Sequence, residues 1–373
     1  MKILMILSRC DQTGMTTHTL DLSSALVGLG HDVTLLVGYQ KGEKESFADK
    51  QVYKLYSHFM KSGVKLHLFR EPSNGSIVNK LLSTIQALWY IATHRFDVIH
   101  VQSPYLSFLP WLLGKRFVST MHVCDFIRCF YYKNATHLIA ISRETREYGK
   151  QIFGYRDDQI TIVNHGVSPR FATLLTAEER VAVRARLGLP TDKIIIGLVG
   201  SIEKRKGHDL LLRAVADLPE ELRAQVHVCL LGSSKNGKTV DWLNGVIEQT
   251  GTAALVSRYD YQDPELFYKV MDIFCLPSRL EGYPLVVVEA MLSGCCCVRS
   301  DTQGASEQIE SGVDGFIFES EHAEQLSAQL AGLIADPALL HRVAEAGRQK
   351  ALRLFTSEVM ARNTLEVYKK IMD

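Results

Sequence analysis

Short apolar runs alternate with longer amphipathic segments through the first half of the chain. The longer segments predict helices at Thr16–Leu29 and Ile77–His94. Strands of three to six apolar residues separated by helices are typical of parallel sheets with right-handed crossover connections. The apolar runs predict strands at Lys2–Leu7, Asp32–Val37, Val64–Phe69, Val98–Val101, Phe117–Met121, Leu138–Ile141 and Ile160–Val163.

The same alternation begins again after a charged helical segment, Phe171–Pro190. Asp192–Gly200 predicts a strand that runs into a polar loop, and a helix is expected at Asp209–Ala216. The alternation continues through Val226–Leu231, Ile273–Leu276, Val286–Leu292 and Cys295–Arg299. The pattern therefore predicts two doubly wound α/β domains, with a ligand cleft between them at the carboxyl ends of their strands.

A last amphipathic helix is predicted at Val359–Met372, with Ser357 as its N-cap. Its apolar residues need a surface to pack against. A chain of 373 residues suits two domains of this kind.

Charge and hydropathy exclude several classes of protein. Lys and Arg total 42 against 41 Asp and Glu, so no global field attracts nucleic acid and an anion site must be a local cluster. The N-terminal apolar run is too short for a signal peptide. The least charged stretch, Val98–Gly114, contains two prolines and falls short of the ~20 apolar residues of a spanning helix. We expect a cytoplasmic protein without a transmembrane segment.

The eight cysteines lack the spacing of metal ligands. Cys295, Cys296 and Cys297 are consecutive, so their side chains alternate between the faces of a strand. We expect buried free thiols and no metal site.

The segment Pro277–Cys297 carries the most informative chemistry. Glu281 precedes Gly282, which lets backbone approach a ligand, and Pro284 suits the first turn of a helix. The N-terminus of that helix would cradle a diphosphate, and Glu289 one turn inside would accept hydrogen bonds from sugar or ribose hydroxyls. The alternative is a solvated loop glutamate and a glutamate that caps its own helix.

Two further turns offer contacts to phosphate. Gly200–Gly207 contains Lys204, Arg205 and Lys206 after a predicted strand, where cations can neutralise a diphosphate or simply face solvent. Ser8–His18 contains one glycine, Gly14, and is by itself a weak phosphate-binding loop.

In this order, these segments resemble the retaining GT-B glycosyltransferases, a family that includes bacterial mannosyl- and glucosyltransferases and sucrose synthase. The most specific element is the pair Glu281 and Glu289 within EGYPLVVVEAM. The resemblance implies that Glu281 contacts hydroxyls of the transferred sugar and that Glu289 binds the ribose. It also implies that the backbone of Gly282, Tyr283, Pro284 and Leu285 holds the sugar and phosphate.

The resemblance assigns further roles around the donor. Ser201 stands where the family has an arginine of its diphosphate loop, so Arg205 and Lys206 are expected to share that role. The Gly14 amide is expected near the phosphate, although Thr13 replaces a glycine. Tyr261 lies in the segment that corresponds to the base-binding region, Arg258–Pro264.

Histidines mark the other matches. Thr120-Met121-His122 resembles a threonine-x-histidine motif whose histidine lies beside the transferred sugar. His18 keeps the position of a family histidine, but a structural role is the more common one. His165 replaces the asparagine of a turn at the domain junction, which leaves its role open.

The resemblance implies an acceptor-binding domain at 1–170, a donor-binding domain at 171–355 and a C-terminal crossover helix, 356–373, that packs on the first. The expected reaction is retaining, metal-independent transfer from a nucleotide diphosphate sugar, UDP- or GDP-linked, without a further cofactor. No Asp-x-Asp pair of metal-dependent transferases is present. Synthesis of cell-envelope polysaccharide, lipopolysaccharide or glycolipid is the expected context.

Other activities remain open at this point. They are a sugar-nucleotide epimerase of the same architecture, a glycosidase that uses both glutamates, and a catalytically silent partner that binds a nucleotide sugar. Phe108–Arg116 and Phe126–Tyr132 are expected either to meet a lipid-linked acceptor or the inner membrane face peripherally, or to be buried helix faces.

Overall fold

The computed structural model describes residues 1–11, 13–39, 47–70, 77–126, 128–234 and 237–372. The chain separates into two compact units. The first comprises Met1–Gly166 and Ser357–Asp373, and the second is Val167–Thr356. The domain limits expected from the sequence differ from these bounds by one to four residues.

Within the described residues, the first unit contains a seven-stranded parallel sheet in the order β3-β2-β1-β4-β5-β6-β7. Its strands are β1 Lys2–Leu7, β2 Asp32–Tyr39, β3 Lys65–Arg70, β4 Val98–Val101, β5 Val118–Met121, β6 His137–Ala140 and β7 Ile160–Ile162. Its helices are α1 Gly14–Gly28, α2 Phe47–Lys61, α3 Ile77–Thr93, α4 Phe108–Leu112, α5 Arg143–Phe153 and the C-terminal helix described below, and Pro104–Leu106 and Asp157–Gln159 form 3-10 turns.

The second unit contains, in its described part, a six-stranded parallel sheet in the order β10-β9-β8-β11-β12-β13. Its strands are β8 Ile194–Val199, β9 Val226–Leu231, β10 Val256–Tyr259, β11 Ile273–Leu276, β12 Cys296–Ser300 and β13 Phe316–Phe318. Its helices are α6 Ala177–Leu187, α7 His208–Ala216, α8 Glu220–Arg223, α9 Gly237–Thr250, α10 Glu265–Val270, α11 Leu285–Leu292, α12 Ala305–Gln308, α13 Ala323–Ala335 and α14 Pro337–Leu354, with 3-10 turns at Pro169–Ala172, Lys204–Lys206 and Ala253–Leu255.

The two open parallel sheets confirm the predicted α/β class. In each sheet, the order in which successive strands are added changes direction beside the first strand of the unit. This switch point lies between β1 and β4 in the first sheet and between β8 and β11 in the second. A crevice opens at such a switch point, outside the carboxyl ends of the strands, because the crossover helices leave in opposite directions there. Side chains on the loops after these four strands are therefore placed for ligand binding.

The C-terminal helix, α15 Ser357–Met372, packs in the first unit although it follows the second unit along the chain. Its apolar face supplies Met360, Val367 and Tyr368 to a core shared with Leu22 of α1. Ser357 is the first helical residue and not the predicted N-cap. The helix begins there because Thr356 still pairs in an extended bridge with Val167.

The three consecutive cysteines are buried, and their thiols point to different surroundings. Cys296 belongs to the core of the second unit, whereas the Cys295 and Cys297 thiols donate to the carbonyl oxygens of Tyr268 and Val287. Burial raises the pKa of Cys296 to about 12, so this thiol stays protonated at neutral pH. None of the helices in the described ranges combines the length and apolar character that crossing a bilayer requires.

Candidate functional site

A cationic turn follows β8 at the switch point of the second sheet. Lys204–Lys206 form a single 3-10 turn, and Gly207 ends it in the left-handed conformation, with φ of 71°. The Nζ of Lys206 lies 2.6 Å from Oε1 of Glu281, and both side chains are nearly buried. The structure thus joins the cation and the carboxylate that the sequence singled out separately.

Gly207 permits this approach because it has no Cβ. A Cβ at this position would lie 1.9 Å from the carbonyl oxygen of Pro277, at the start of the loop after β11. Any other residue would force the two loops apart.

Arg205 contributes to the same cluster in a different way. Its Nη1 donates to the carbonyl oxygen of Leu280 at 2.9 Å and lies 3.6 Å from Oε1 of Glu281. Its Nη2 pairs with Glu203 at 3.0 Å. Arg205 therefore fixes the loop that carries Glu281, while Lys206 makes the closer contact with the carboxylate.

A second arginine, which the sequence did not indicate, holds the base of this cluster. The guanidinium of Arg279 donates to both carboxylate oxygens of Asp209, each at 2.9 Å, and also pairs with Glu321. Arg279 lies two residues before Glu281, and Asp209 lies in the first turn of α7. The bidentate pair fixes the direction of the chain into the glutamate loop.

The loop from Gly282 to Pro284 leads directly into α11. Pro284 is the N-cap, with an extended backbone, and Leu285 is the first helical residue. The sequence placed Pro284 in the first turn, but its ψ of 119° leaves it just outside the helix. Its carbonyl oxygen accepts hydrogen bonds from the amide of Val287 at 3.4 Å and from the side chain of Gln308 at 3.0 Å. The N-terminus of α11 still presents amide groups beyond the reach of intrahelical acceptors.

The loop after β12 supports this turn from the other side. Gly304 has φ of 72°, and a Cβ there would lie 2.9 Å from the carbonyl oxygen of Gly282. Tyr283 is buried beneath the turn. Gly282, Tyr283 and Pro284 are therefore held by packed neighbours on both sides of the backbone.

Glu289 lies one turn inside α11 and is buried. The hydroxyl of Tyr268 donates to its Oε2 at 2.9 Å. Burial raises the pKa of Glu289 to about 7, against the opposing effects of this hydrogen bond and of the charge on Arg170. A carboxyl group that titrates near neutral pH can accept or donate hydrogen bonds to ligand hydroxyls.

Arg170 and Tyr268 are residues that the sequence analysis missed. Arg170 lies in the 3-10 turn Pro169–Ala172 and pairs with Asp263 at 2.6 Å. Tyr261, in the predicted base-binding segment, has slightly more than half of its surface exposed. Partial burial, followed by the charges of Asp263 and Glu289, raises the pKa of Tyr261.

In the first unit, His122 follows β5 at the carboxyl edge of the sheet. Its Nε2 donates to Oε1 of Gln102 at 2.9 Å. The neighbouring His100 contacts Tyr368 of α15 and Thr120, each at 2.7 Å. Burial lowers the pKa of His122 to about 3, so its imidazole is neutral.

Gly14 is the first residue of α1, and Thr13 is the N-cap. Asp11 accepts hydrogen bonds from the hydroxyls of Thr13 and Thr16, which closes the turn before the helix. His18, one turn further, is buried beside His122 and His165. Gln12 of the same motif lies outside the described residues.

Two family models match the chain, and between them they cover most of it. The model for Glycosyltransferase Family 4 matches residues 12–171, and the model for Glycosyl transferases group 1 matches residues 179–350. A D-inositol 3-phosphate glycosyltransferase from Xylanimonas cellulosilytica is 27% identical over 403 residues, which cover 96% of this chain and 92% of the relative.

Solved structures show the same fold. HepE of Anabaena in complex with UDP superposes with a TM-score of 0.82 at 18% identity, covering 99% of this chain and all of HepE. WaaG, a glycosyltransferase involved in lipopolysaccharide biosynthesis, gives a TM-score of 0.69 at 16% identity and covers 99% of each chain. HepE has also been solved with UDP-glucose. The chain belongs to the group 1 glycosyltransferases and has their GT-B fold.

Proposed function

We propose that this glycosyltransferase transfers a sugar, with retention of anomeric configuration, from a nucleotide diphosphate sugar to an acceptor hydroxyl. The ion pair between Lys206 and Glu281 is the observation that carries this proposal. It brings a cation suited to phosphate and a carboxylate suited to sugar hydroxyls within 2.6 Å, at the switch point where α/β sheets bind ligands. Hydrolysis of a simple glycoside calls for no phosphate-binding cation. An epimerase of the same architecture would bind the same donor and is distinguished by its product, an altered nucleotide sugar without transfer to an acceptor.

The donor would lie across the carboxyl edge of the second sheet. Lys206, Arg205 and the amides at the N-terminus of α11 would offset the charge of the diphosphate. Glu281 would accept hydrogen bonds from the transferred sugar, and Glu289 from the ribose. The complexes of HepE with UDP and UDP-glucose support a UDP-sugar, and a GDP-sugar is the other candidate.

In the transfer step, the bond between the anomeric carbon and the diphosphate oxygen breaks. The acceptor oxygen bonds to the same carbon from the same face, and the leaving diphosphate takes the acceptor's proton. The protein's part is to position both substrates and to stabilise the charge that develops on the diphosphate. His122 would lie beside the transferred sugar as a neutral hydrogen-bonding group, and no metal ion would be required.

Ligand-induced stabilisation followed by turnover tests the proposal. The protein is screened by thermal shift against UDP-, GDP-, ADP- and CMP-sugars, and the stabilising donor is then incubated with acceptor mixtures and followed by NMR. We expect one nucleotide class to raise Tm and the anomeric configuration to be kept. An inverted product, or hydrolysis of a simple glycoside without nucleotide, would contradict the proposal.

The acceptor is proposed to be a cell-envelope glycan or lipid, met at the inner membrane face. Trp111, Phe130 and Tyr131 are exposed, and the ammonium of Lys133 lies 4.4 Å and 4.7 Å from the ring centres of Trp111 and Phe130. The two predicted apolar stretches are therefore partly exposed and partly buried, since Leu109, Phe126 and Tyr132 are core residues. Ile127 lies outside the described residues.

Helix α3 adds an exposed apolar row on the same unit. Ile77, Leu81, Ile85 and Trp89 follow each other every four residues, and each is at least half exposed. An exposed row of aromatic and aliphatic side chains along one helix is typical of surfaces that lie in a membrane interface. This row supports peripheral contact with the membrane.

A further inference from the structure

Three histidines from distant parts of the sequence meet at the carboxyl edge of the first sheet. His18 comes from α1, His122 follows β5 and His165 follows β7. The ring of His18 lies between the others, with its centre 4.9 Å from that of His122 and 4.4 Å from that of His165. One nitrogen from each ring lies within 4.8 Å of the other two.

The hydrogen bonds around His122 leave one nitrogen available to a ligand. Its Nε2 donates to Oε1 of Gln102, so Nδ1 carries the lone pair. Among the described residues, this Nδ1 is buried and makes no hydrogen bond. A histidine whose second nitrogen donates to a carbonyl oxygen is oriented as in most metal sites.

His18 is also buried with ring nitrogens that make no hydrogen bond to the described residues. It is 3% exposed. Burying an imidazole without a partner costs about 1–3 kcal/mol. A ligand that binds the imidazole of His18 in the functional protein would offset this loss of stability.

We propose that His18, His122 and His165 form a binding site for a divalent late transition-metal ion, with Zn²⁺ as the representative. Imidazole ligands suit Zn²⁺, Ni²⁺ and Cu²⁺, whereas Mg²⁺ and Ca²⁺ prefer oxygen. Three histidines with a fourth position open to water is a known zinc ligand set. Movements of about 1 Å would bring the nitrogens to the ~3.4 Å separation that metal–nitrogen bonds of ~2.0–2.1 Å require.

An ion can approach from the side of His122, the one member of the three that is not fully buried.

Binding of Zn²⁺ alone, without nucleotide sugar, tests the site independently of the proposed transferase activity. Untagged protein carrying Cys124→Ser and Cys129→Ser is titrated with Zn²⁺ by calorimetry, so that accessible thiols do not compete. We expect one ion per chain and no binding of Mg²⁺. The visible spectrum of the Co²⁺ form should indicate a four-coordinate site with three nitrogen ligands and one water.

His165→Asn in the same background is the decisive variant. The family that this chain resembles carries asparagine at this position, so the variant should keep the fold. Circular dichroism and the Tm of the metal-free protein verify this. We expect Zn²⁺ to bind at least tenfold more weakly, and the rise in Tm on adding Zn²⁺ to disappear. His341→Asn, on an exposed helix position, should bind as the parent does.

Gln102→Leu tests the orientation of His122 and should weaken Zn²⁺ binding by about 10- to 100-fold. Unchanged Zn²⁺ affinity in His165→Asn, or no stoichiometric binding in the parent, would overturn the proposal. Both results would leave the transferase proposal intact, because neither measurement involves a donor sugar.

Discussion

At the scale of single residues, Lys206 is the side chain on which the proposed chemistry depends most. Its ammonium is paired with Glu281 and nearly buried, while Lys204 in the same turn is exposed. Lys206→Ala should lower kcat by about 10²–10³, since one charge contact to the leaving diphosphate is lost. Initial rates at saturating donor measure this.

Lys204→Ala is the matched control, because it removes the same side chain from the same turn. It should keep kcat within about twofold of the parent. Near-normal turnover in Lys206→Ala would remove that residue from the site.

The raised pKa of Glu289 predicts that the stability of the folded protein depends on pH. Its pKa is raised by burial to about 7, above the value near 4.5 of an exposed glutamate, so the folded protein holds this proton more tightly than the unfolded chain. The free energy of unfolding therefore falls as pH rises from about 4.5 to 7, and the contribution of this group is constant above that range. This shift in the pKa of Glu289 corresponds to at most about 3 kcal/mol in the free energy of unfolding.

Glu289→Gln should remove this part of the pH dependence. Urea unfolding at pH 5 and pH 8 should show a smaller loss of stability in Glu289→Gln than in the parent. Glu248→Gln, at an exposed position of α9, should behave as the parent does. If the free energy of unfolding changed equally between pH 5 and pH 8 in Glu289→Gln and in the parent, Glu289 would be ionised over that whole pH range. The same variant should bind donor more weakly if Glu289 contacts the ribose.

At the scale of elements, Gly207 joins the turn after β8 to the loop after β11. Both Gly207 and Gly188, at the C-terminus of α6, have φ near 70°. A Cβ at Gly188 would meet nothing within 4 Å, whereas at Gly207 it would strike the Pro277 carbonyl oxygen. Gly188→Ala should cost about 1–2 kcal/mol for the left-handed backbone alone.

Gly207→Ala should cost clearly more, because the loops must also separate. It should lower kcat as well, since Lys206 precedes it directly. Chemical denaturation and initial rates of both variants provide the comparison, and equal losses of stability would contradict the close approach of the two loops.

The apolar row on α3 gives a second prediction at this scale. Replacing Leu81 and Trp89 by serine should reduce co-sedimentation with vesicles of anionic phospholipid severalfold, because both side chains would insert at the interface. Gln86→Ser, an exposed position on the same helix, should not change it. Equal sedimentation of the double variant would exclude α3 from any membrane contact.

Sequence patterns predicted the inner strands well, and the reason is physical. Lys2–Leu7 matches β1 residue for residue, because a strand covered on both faces is an uninterrupted apolar run. The strands β10 and β13 at the edges of the second sheet were not predicted. Ser257 and Arg258 interrupt the apolar run of β10, and β13 has only three residues. Motifs indicated Lys206 and Glu281, but not the contacts of Glu289 with Tyr268 or of Arg170 with Asp263, which only the fold brings together.

At the scale of the whole molecule, the two units share one strand order but carry different chemistry. Lys206, Arg205 and Glu281 lie at the switch point of the second sheet, whereas the imidazoles of His18, His122 and His165 lie together at the carboxyl edge of the first. The charge needed to bind a diphosphate is thus concentrated in one unit. In the other unit, burial lowers the pKa of His122 to about 3, so its imidazole offers hydrogen bonds without charge, which suits an uncharged acceptor hydroxyl.

This separation of charge predicts how metals affect activity. Two cationic side chains and the N-terminus of α11 can offset the leaving diphosphate without Mg²⁺, so transfer should continue in EDTA at the rate measured before chelation. Added Zn²⁺ should inhibit transfer, because it would bind His122, beside which the transferred sugar is expected. Rates measured after dialysis against EDTA, and again with added Mg²⁺ or Zn²⁺, separate the cases. Loss of activity in EDTA that Mg²⁺ restores would mean that the cations of the second unit are insufficient and that a bound metal completes the donor site.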